Sequence, residues 1–191
     1  DGTNPQTVYG NFTHRPHCIF EARSVPESNK IVFTGSGHHS ITGGSLVLLD
    51  PGRGVDGDSP IERITPEVCF PEIEGWPSCY YANPWPLSER HFLTAWSDRP
   101  LTREGGANPP NSLGLYLYDT FGNLELLYRD PEISSMYPIP VRSRSRPPEL
   151  SSSIAWRESD EGRFALLDVY DGLTGIECGR IESLRIVAVP A

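Results

Sequence analysis

Lysine is almost missing from this chain. Lys30 is the only one in 191 residues, so all but one of the 16 basic residues are arginine. Acidic residues outnumber basic ones, and the net charge is −9. That balance argues against a nucleic-acid binder, because phosphate neutralisation needs a basic surface. No apolar run approaches the ~20 residues of a membrane-spanning helix. Helical periodicity is also absent. No Cys-x-x-Cys pair occurs among Cys18, Cys69, Cys79 and Cys178, which removes the zinc-ribbon, thioredoxin and haem-attachment spacings. Free buried thiols are the plainer reading, with a Cys69–Cys79 disulfide as the alternative. Gly35-Ser36-Gly37 lacks the context of a Gly-x-Ser-x-Gly nucleophile elbow, and no glycine-rich loop brings a lysine to a phosphate.

Turn chemistry is what the chain has in excess. Its 19 prolines and 18 glycines make up roughly a fifth of the residues, against about 12% in an average protein. With 37% hydrophobic residues the chain can still bury a core, so Pro and Gly read as punctuation between strands. Strand-like runs fall at Gln6–Tyr9, Cys18–Arg23, Lys30–Thr34, Ser45–Leu49, Ile61–Thr65, Cys79–Ala82, His91–Trp96, Gly114–Tyr118, Leu124–Arg129, Phe164–Tyr170 and Ile181–Val189. Strands this short and this dense suggest a sandwich, a barrel or a propeller.

An internal repeat selects among the three. Pro26–Thr34 matches Pro86–Thr94 at a separation of 60 residues, and Pro16-His17-Cys18 matches Pro77-Ser78-Cys79 at 61. Ser45–Asp50 matches Gly114–Asp119 at 69, the surplus falling in the loop Ser97–Ser112. Each repeat then holds four strands in one order, which is a propeller blade with long loops. Asp50-Pro51-Gly52 and Asp119-Thr120-Phe121-Gly122 mark equivalent corners, where Asp bonds its own backbone and Gly takes positive φ. A lone blade cannot bury both faces, whereas stacked blades cover one another. The expected fold is therefore all-β. A partial propeller spans residues 1–145: the end of one blade, two complete blades and the start of another at Tyr137-Pro138-Ile139-Pro140. An Arg/Pro/Ser-rich connector spans 146–161, and a second β domain starts over 162–191. With Asp1 in place of an initiator Met, the chain reads as a piece of a larger protein.

Blade geometry suggests where chemistry would sit. The connection leading into an inner strand and the one between the second and third strands share a face. His14 and His17 lie in the first of these, and His38 and His39 in the second. Four imidazoles at one rim suit a transition metal, and Cys18 adds a thiol. The plainer alternative is that these histidines are solvated or hydrogen-bonded to the next blade. The neighbouring loops hold Glu72, Glu74, Trp76, Asp98, Arg99, Arg103 and Glu104, where carboxylates beside arginine suit acid–base work or simple ion pairs. No catalytic residue is identified, since nothing orients a nucleophile. Arg142, Arg144 and Arg146 alternate with serine, so an extended chain points all three one way, toward an acidic neighbouring surface. With Asp98 and Arg99 they are the candidate interaction residues. Asp56-Gly57-Asp58 resembles part of a calcium loop but lacks its 12-residue pattern, and reads as a solvated loop.

Asp1-Gly2-Thr3-Asn4-Pro5 and the repeated strand–Asp turns resemble TolB-type (WD40-like) propeller repeats. Arg15–Cys18, Gly35–Ser40, Gly44–Pro51, Gly75–Pro86, Ala95–Pro100, Arg142–Pro148, Asp168–Leu173 and Gly179–Val187 are similar to planctomycete-type exported proteins related to the hydrazine synthase α subunit. The resemblance implies a periplasmic or exported, redox-associated parent with a propeller, a middle domain and haem-bearing segments. No Cys-x-x-Cys-His occurs here, so a c-type haem would belong elsewhere in that parent and none to this chain. The implied role is a non-catalytic scaffold. Its partners would be the remaining blades, the downstream domains and other subunits, without nucleic acid or membrane insertion. The alternatives are a metal-binding enzyme module at the histidine rim and a TolB-like protein-interaction propeller with no redox role.

Overall fold

The structure is a computed structural model describing residues 5–103, 110–143, 146 and 164–187. The chain divides into two units, Asp1–Ser145 and Arg146–Ala191. All the strands of the described residues belong to the first. They are β1 (Cys18–Ser24), β2 (Ile31–Ser36), β3 (Gly44–Leu49), β4 (Ile61–Arg63), β5 (Tyr80–Pro86), β6 (His91–Ser97), β7 (Gly114–Asp119) and β8 (Leu124–Tyr128). A 3-10 turn at Pro51–Arg53 is the only helical element described. The protein is all-β.

The eight strands form one antiparallel sheet that does not close on itself. It is built of two meanders, β1–β4 and β5–β8, joined where Gly44 pairs with Tyr81. Glycine is required at that joint, because a Cβ on Gly44 would lie 2.1 Å from the Gly35 carbonyl oxygen. Both meanders turn their third corner on an aspartate. Asp50 Oδ1 accepts from Gly52 N, and Asp119 Oδ1 accepts from Phe121 N and Asn123 N.

Strand pairing corrects the separation read from sequence. Phe20 pairs with Thr34 as Ala82 pairs with Ala95, and Arg23 pairs with Val32 as Trp85 pairs with Leu93. Equivalent residues are thus 62 apart in the first strands and 61 apart in the second. The match at 60 follows the turn chemistry of Ser28 and Ser88, each of which accepts backbone N–H groups. The second turn is a residue shorter than the first, so the strands after it shift. One residue matters, because it exchanges the two faces of a strand.

With that register the packing becomes regular. Val32, Leu46 and Leu48 of the first meander, with Val25, Ile64 and Val68, pack against Tyr81, Phe92 and Tyr118 of the second. The Tyr118 hydroxyl donates to the Ile64 carbonyl across this seam. Tyr81 meets Tyr118 edge-on at 5.4 Å between ring centres. The opposite face of the first meander carries Phe33, Val47, Leu49 and Phe70, flanked by Tyr9, Ile19, Ile31 and Ile61.

Three expected strands do not form. Gln6–Tyr9 is irregular and held by single contacts, Gly10 N to Val55 O and the Tyr9 hydroxyl to Gly57 O. Phe164–Tyr170 and the described part of Ile181–Val189 are also strand-free, with Phe164, Leu167 and Ile186 exposed. A strand needs a partner ladder and a face to bury. Residues 164–187 instead form turns around Tyr170, whose hydroxyl accepts from Gly179 N and Ile181 N. Most of the expected connector lies outside the described residues.

Candidate functional site

Strand β1 bulges between Phe20 and Arg23, and β5 bulges at the equivalent place between Ala82 and Trp85. Each bulge holds a non-glycine residue in the left-handed region, Glu21 at φ 61° and Asn83 at φ 52°. The two are linked. Glu21 accepts from Asn83 N at 2.5 Å, from Asn83 Nδ2 and from the Thr34 hydroxyl at 3.0 Å. Asn83 Oδ1 in turn accepts from Tyr137 N at 3.3 Å, and Tyr137 has φ 54°. β1, β5 and the segment at Tyr137 are therefore stepped together by one side chain reaching the next backbone. Sequence reasoning missed this ladder; its one signal is Asn83, a residue type that tolerates the left-handed region.

Three of the four candidate histidines gather on one carboxylate. Glu72 lies in the β4–β5 connection at φ 71°, held by Glu72 N to Gly75 O at 2.8 Å. It accepts from His39 Nδ1 at 2.5 Å, from His38 N at 2.7 Å and from His39 N at 3.1 Å, with His17 Nδ1 at 3.5 Å. His39, its backbone N–H, His38 and His17 together draw the Glu72 carboxyl down to about 2. A carboxylate only accepts, so His39 donates from Nδ1 to Glu72, and its Nε2 lies 3.2 Å from His38 Nδ1. That spacing also matches two ligands of one tetrahedral metal. Among the described residues, no group of three or more His, Cys, Asp or Glu is arranged to hold a metal ion. Cys18 sits nearby, and burial and the Glu72 charge push its thiol up, away from the thiolate a metal takes. His14 is exposed and makes none of these contacts.

The other acid of that loop is committed to structure. Glu74 accepts from Arg63 Nη2 at 2.7 and 2.8 Å, from Arg15 Nε at 2.6 Å and from Phe70 N at 2.8 Å. Burial works to raise its carboxyl, and these donors, Arg63 first, outweigh it and hold it low. Arg63 lies over the Phe70 ring at 3.8 Å. Asp56 and Asp58 tie the N-terminal segment to their loop, through Phe12 N, the Thr13 hydroxyl and Arg15.

Asp98 pairs with Arg129 at 3.3 Å and reaches Arg99 at 3.9 Å. Arg103 forms an isolated bridge with Ser40. Arg142 is exposed and borders a recess beside Trp85, Arg146 is exposed, and Arg144 and Glu104 lie outside the described residues. All four cysteines are free thiols. No helix among the described residues is long and apolar enough to cross a membrane.

Chemically, His38, His39 and Glu72 form a short hydrogen-bonded chain. The chain matches no known family, curated protein or solved structure.

Proposed function

We propose that this chain is a repeat-built scaffold: blades of a propeller that position other parts of a larger protein and bind rather than catalyse. The observation that carries the reading is the equivalence of two apolar faces. Tyr81, Phe92 and Tyr118 of the second meander are covered by the first. The register makes Ile19, Ile31 and Leu49 their counterparts on the first meander. These three border an apolar groove of about 270 Å³, together with Val8, Tyr9 and Phe33. A further meander offering an apolar face like that of Val32, Leu46 and Leu48 fits there, as stacked repeats require. The resemblance to TolB-type repeats and to hydrazine synthase α-subunit-like proteins supports an exported, c-type-haem-associated parent. In that reading haem lies outside this chain and this part supplies the docking frame.

The test is the visible spectrum and metal content of the purified natural-length protein. The expected result is a c-type haem spectrum, with every haem peptide mapping outside residues 1–191. A colourless, metal-free protein would remove the redox association and leave an interaction propeller. Stoichiometric metal lost on His38→Ala would overturn the scaffold reading in favour of a metal-binding module.

A further inference from the structure

The histidine cluster and the Glu74 knot are internally satisfied. The innermost edge of the sheet is not. Between β1 and β5 lies an open recess of about 280 Å³, bordered by Arg23, Ser24, Trp85, Arg142 and two prolines. The Arg23 guanidinium lies over the Trp85 ring at 4.3 Å, which fixes its plane. Among the described residues no acid borders the recess. The acid of β1, Glu21, already serves Asn83 and Thr34 and is not spare for Arg23. Ion pairs among the described residues use Arg15, Lys30, Arg63, Arg99 and Arg129 instead. Among the described residues, two arginines thus share a cavity without a bordering counter-charge, in a chain whose acids outnumber its bases. Placing like charges together costs free energy that an anion recovers.

We propose that this recess binds a small oxyanion, a carboxylate or a phosphate, gripped by Arg23 and Arg142. A guanidinium offers planar paired donors that match both groups, and Trp85 holds one of the two in place before the ligand arrives. Ser24 borders the same recess. The volume is below that of drug-sized pockets, so the ligand is a small ion or the anionic end of a compact metabolite. The placement has a structural origin. The Glu21–Asn83–Tyr137 ladder sets the inner segments side by side, and the chain leaving Tyr137 reaches the recess at Arg142. The site does not depend on further blades, so it stands or falls apart from the scaffold reading.

Calorimetric titration of the whole chain with inorganic phosphate and with succinate, at fixed ionic strength, tests it. Tryptophan fluorescence reports Trp85, with Trp85→Phe as the control. Saturable binding of either probe is expected, weakened about tenfold or more in Arg23→Gln and in Arg142→Gln, as loss of one charge-assisted contact implies. Arg142 is on an exposed segment, so Arg142→Gln keeps the test sound if Arg23→Gln disturbs β1. Heat from phosphate alone or from succinate alone identifies the oxyanion. Absence of saturation with both probes, or unchanged affinity in both variants, overturns the proposal.

Discussion

The two meanders share a backbone plan and differ in what they attach to it. Both run four antiparallel strands, both bulge in the first strand at a left-handed residue, and both turn their third corner on aspartate. In the first, the loops carry a histidine array on Glu72 and an arginine knot on Glu74. In the second, the matching loop offers the solvent-facing Asp98–Arg129 pair. Repetition thus constrains the strands and corners, where register and pleat leave little choice. The loops are free of that constraint, and the unusual chemistry collects there.

The contrast between covered and open apolar faces should give the largest measurable difference. Phe92 is fully buried at the seam, so Phe92→Ala is expected to cost about 3–5 kcal/mol in urea unfolding. Ile31, its counterpart by register, is only half-buried at the groove edge of a face whose centre, at Phe33 and Leu49, is buried. Ile31→Ala is expected to cost about 1 kcal/mol, less than the full burial of such a side chain is worth. Equal losses would mean that the two faces are equally covered in solution, and the comparison would fail.

The ladder comes next in size. Asn83→Ala leaves Tyr137 N and the Glu21 carboxylate each short of a partner, at a site that is nearly inaccessible. A loss of about 2–3 kcal/mol is expected, combining the unmet hydrogen bonds with alanine's poorer tolerance of positive φ than asparagine's. Asn83→Gly removes the same bonds without the conformational penalty and should lose about 1 kcal/mol less. Identical losses would show that φ at Asn83 carries no cost.

Much of this was legible in the residues, and the reasons are specific. Eight of the expected strands formed because apolar runs bounded by Gly, Pro and Asp have few other ways to bury themselves. The four-strand order followed from the repeat. The register did not, because Ser28 and Ser88 align the turns while the turns differ in length. The runs Phe164–Tyr170 and Ile181–Val189 read as strands because local pattern cannot show whether a neighbour exists to pair with. In the histidine loops, spacing placed His17, His38 and His39 together, but not the role of Glu72, which depends on a left-handed backbone that no residue type there announces.

The smallest expected effect concerns that carboxylate, and it separates the loops of the two meanders by pH. Glu72 is held at about 2, below the ordinary value of 4.5, so its ionised form favours the folded state. That contribution is complete above the ordinary value and is lost as pH falls from there toward 2. Glu72→Gln has nothing of the kind to lose. The stability difference between wild type and Glu72→Gln should therefore be flat at neutral pH and shrink steadily through the acid range. Other carboxyls held low, Glu74, Glu89, Asp119 and Asp130, titrate in both proteins and cancel in the difference. Urea midpoints for the pair, measured from pH 7 to pH 2, provide the check. Parallel curves across the whole range would show that the histidine loop does not hold Glu72 in its charged form, and the chemical distinction between the two meanders would narrow to their inner edge.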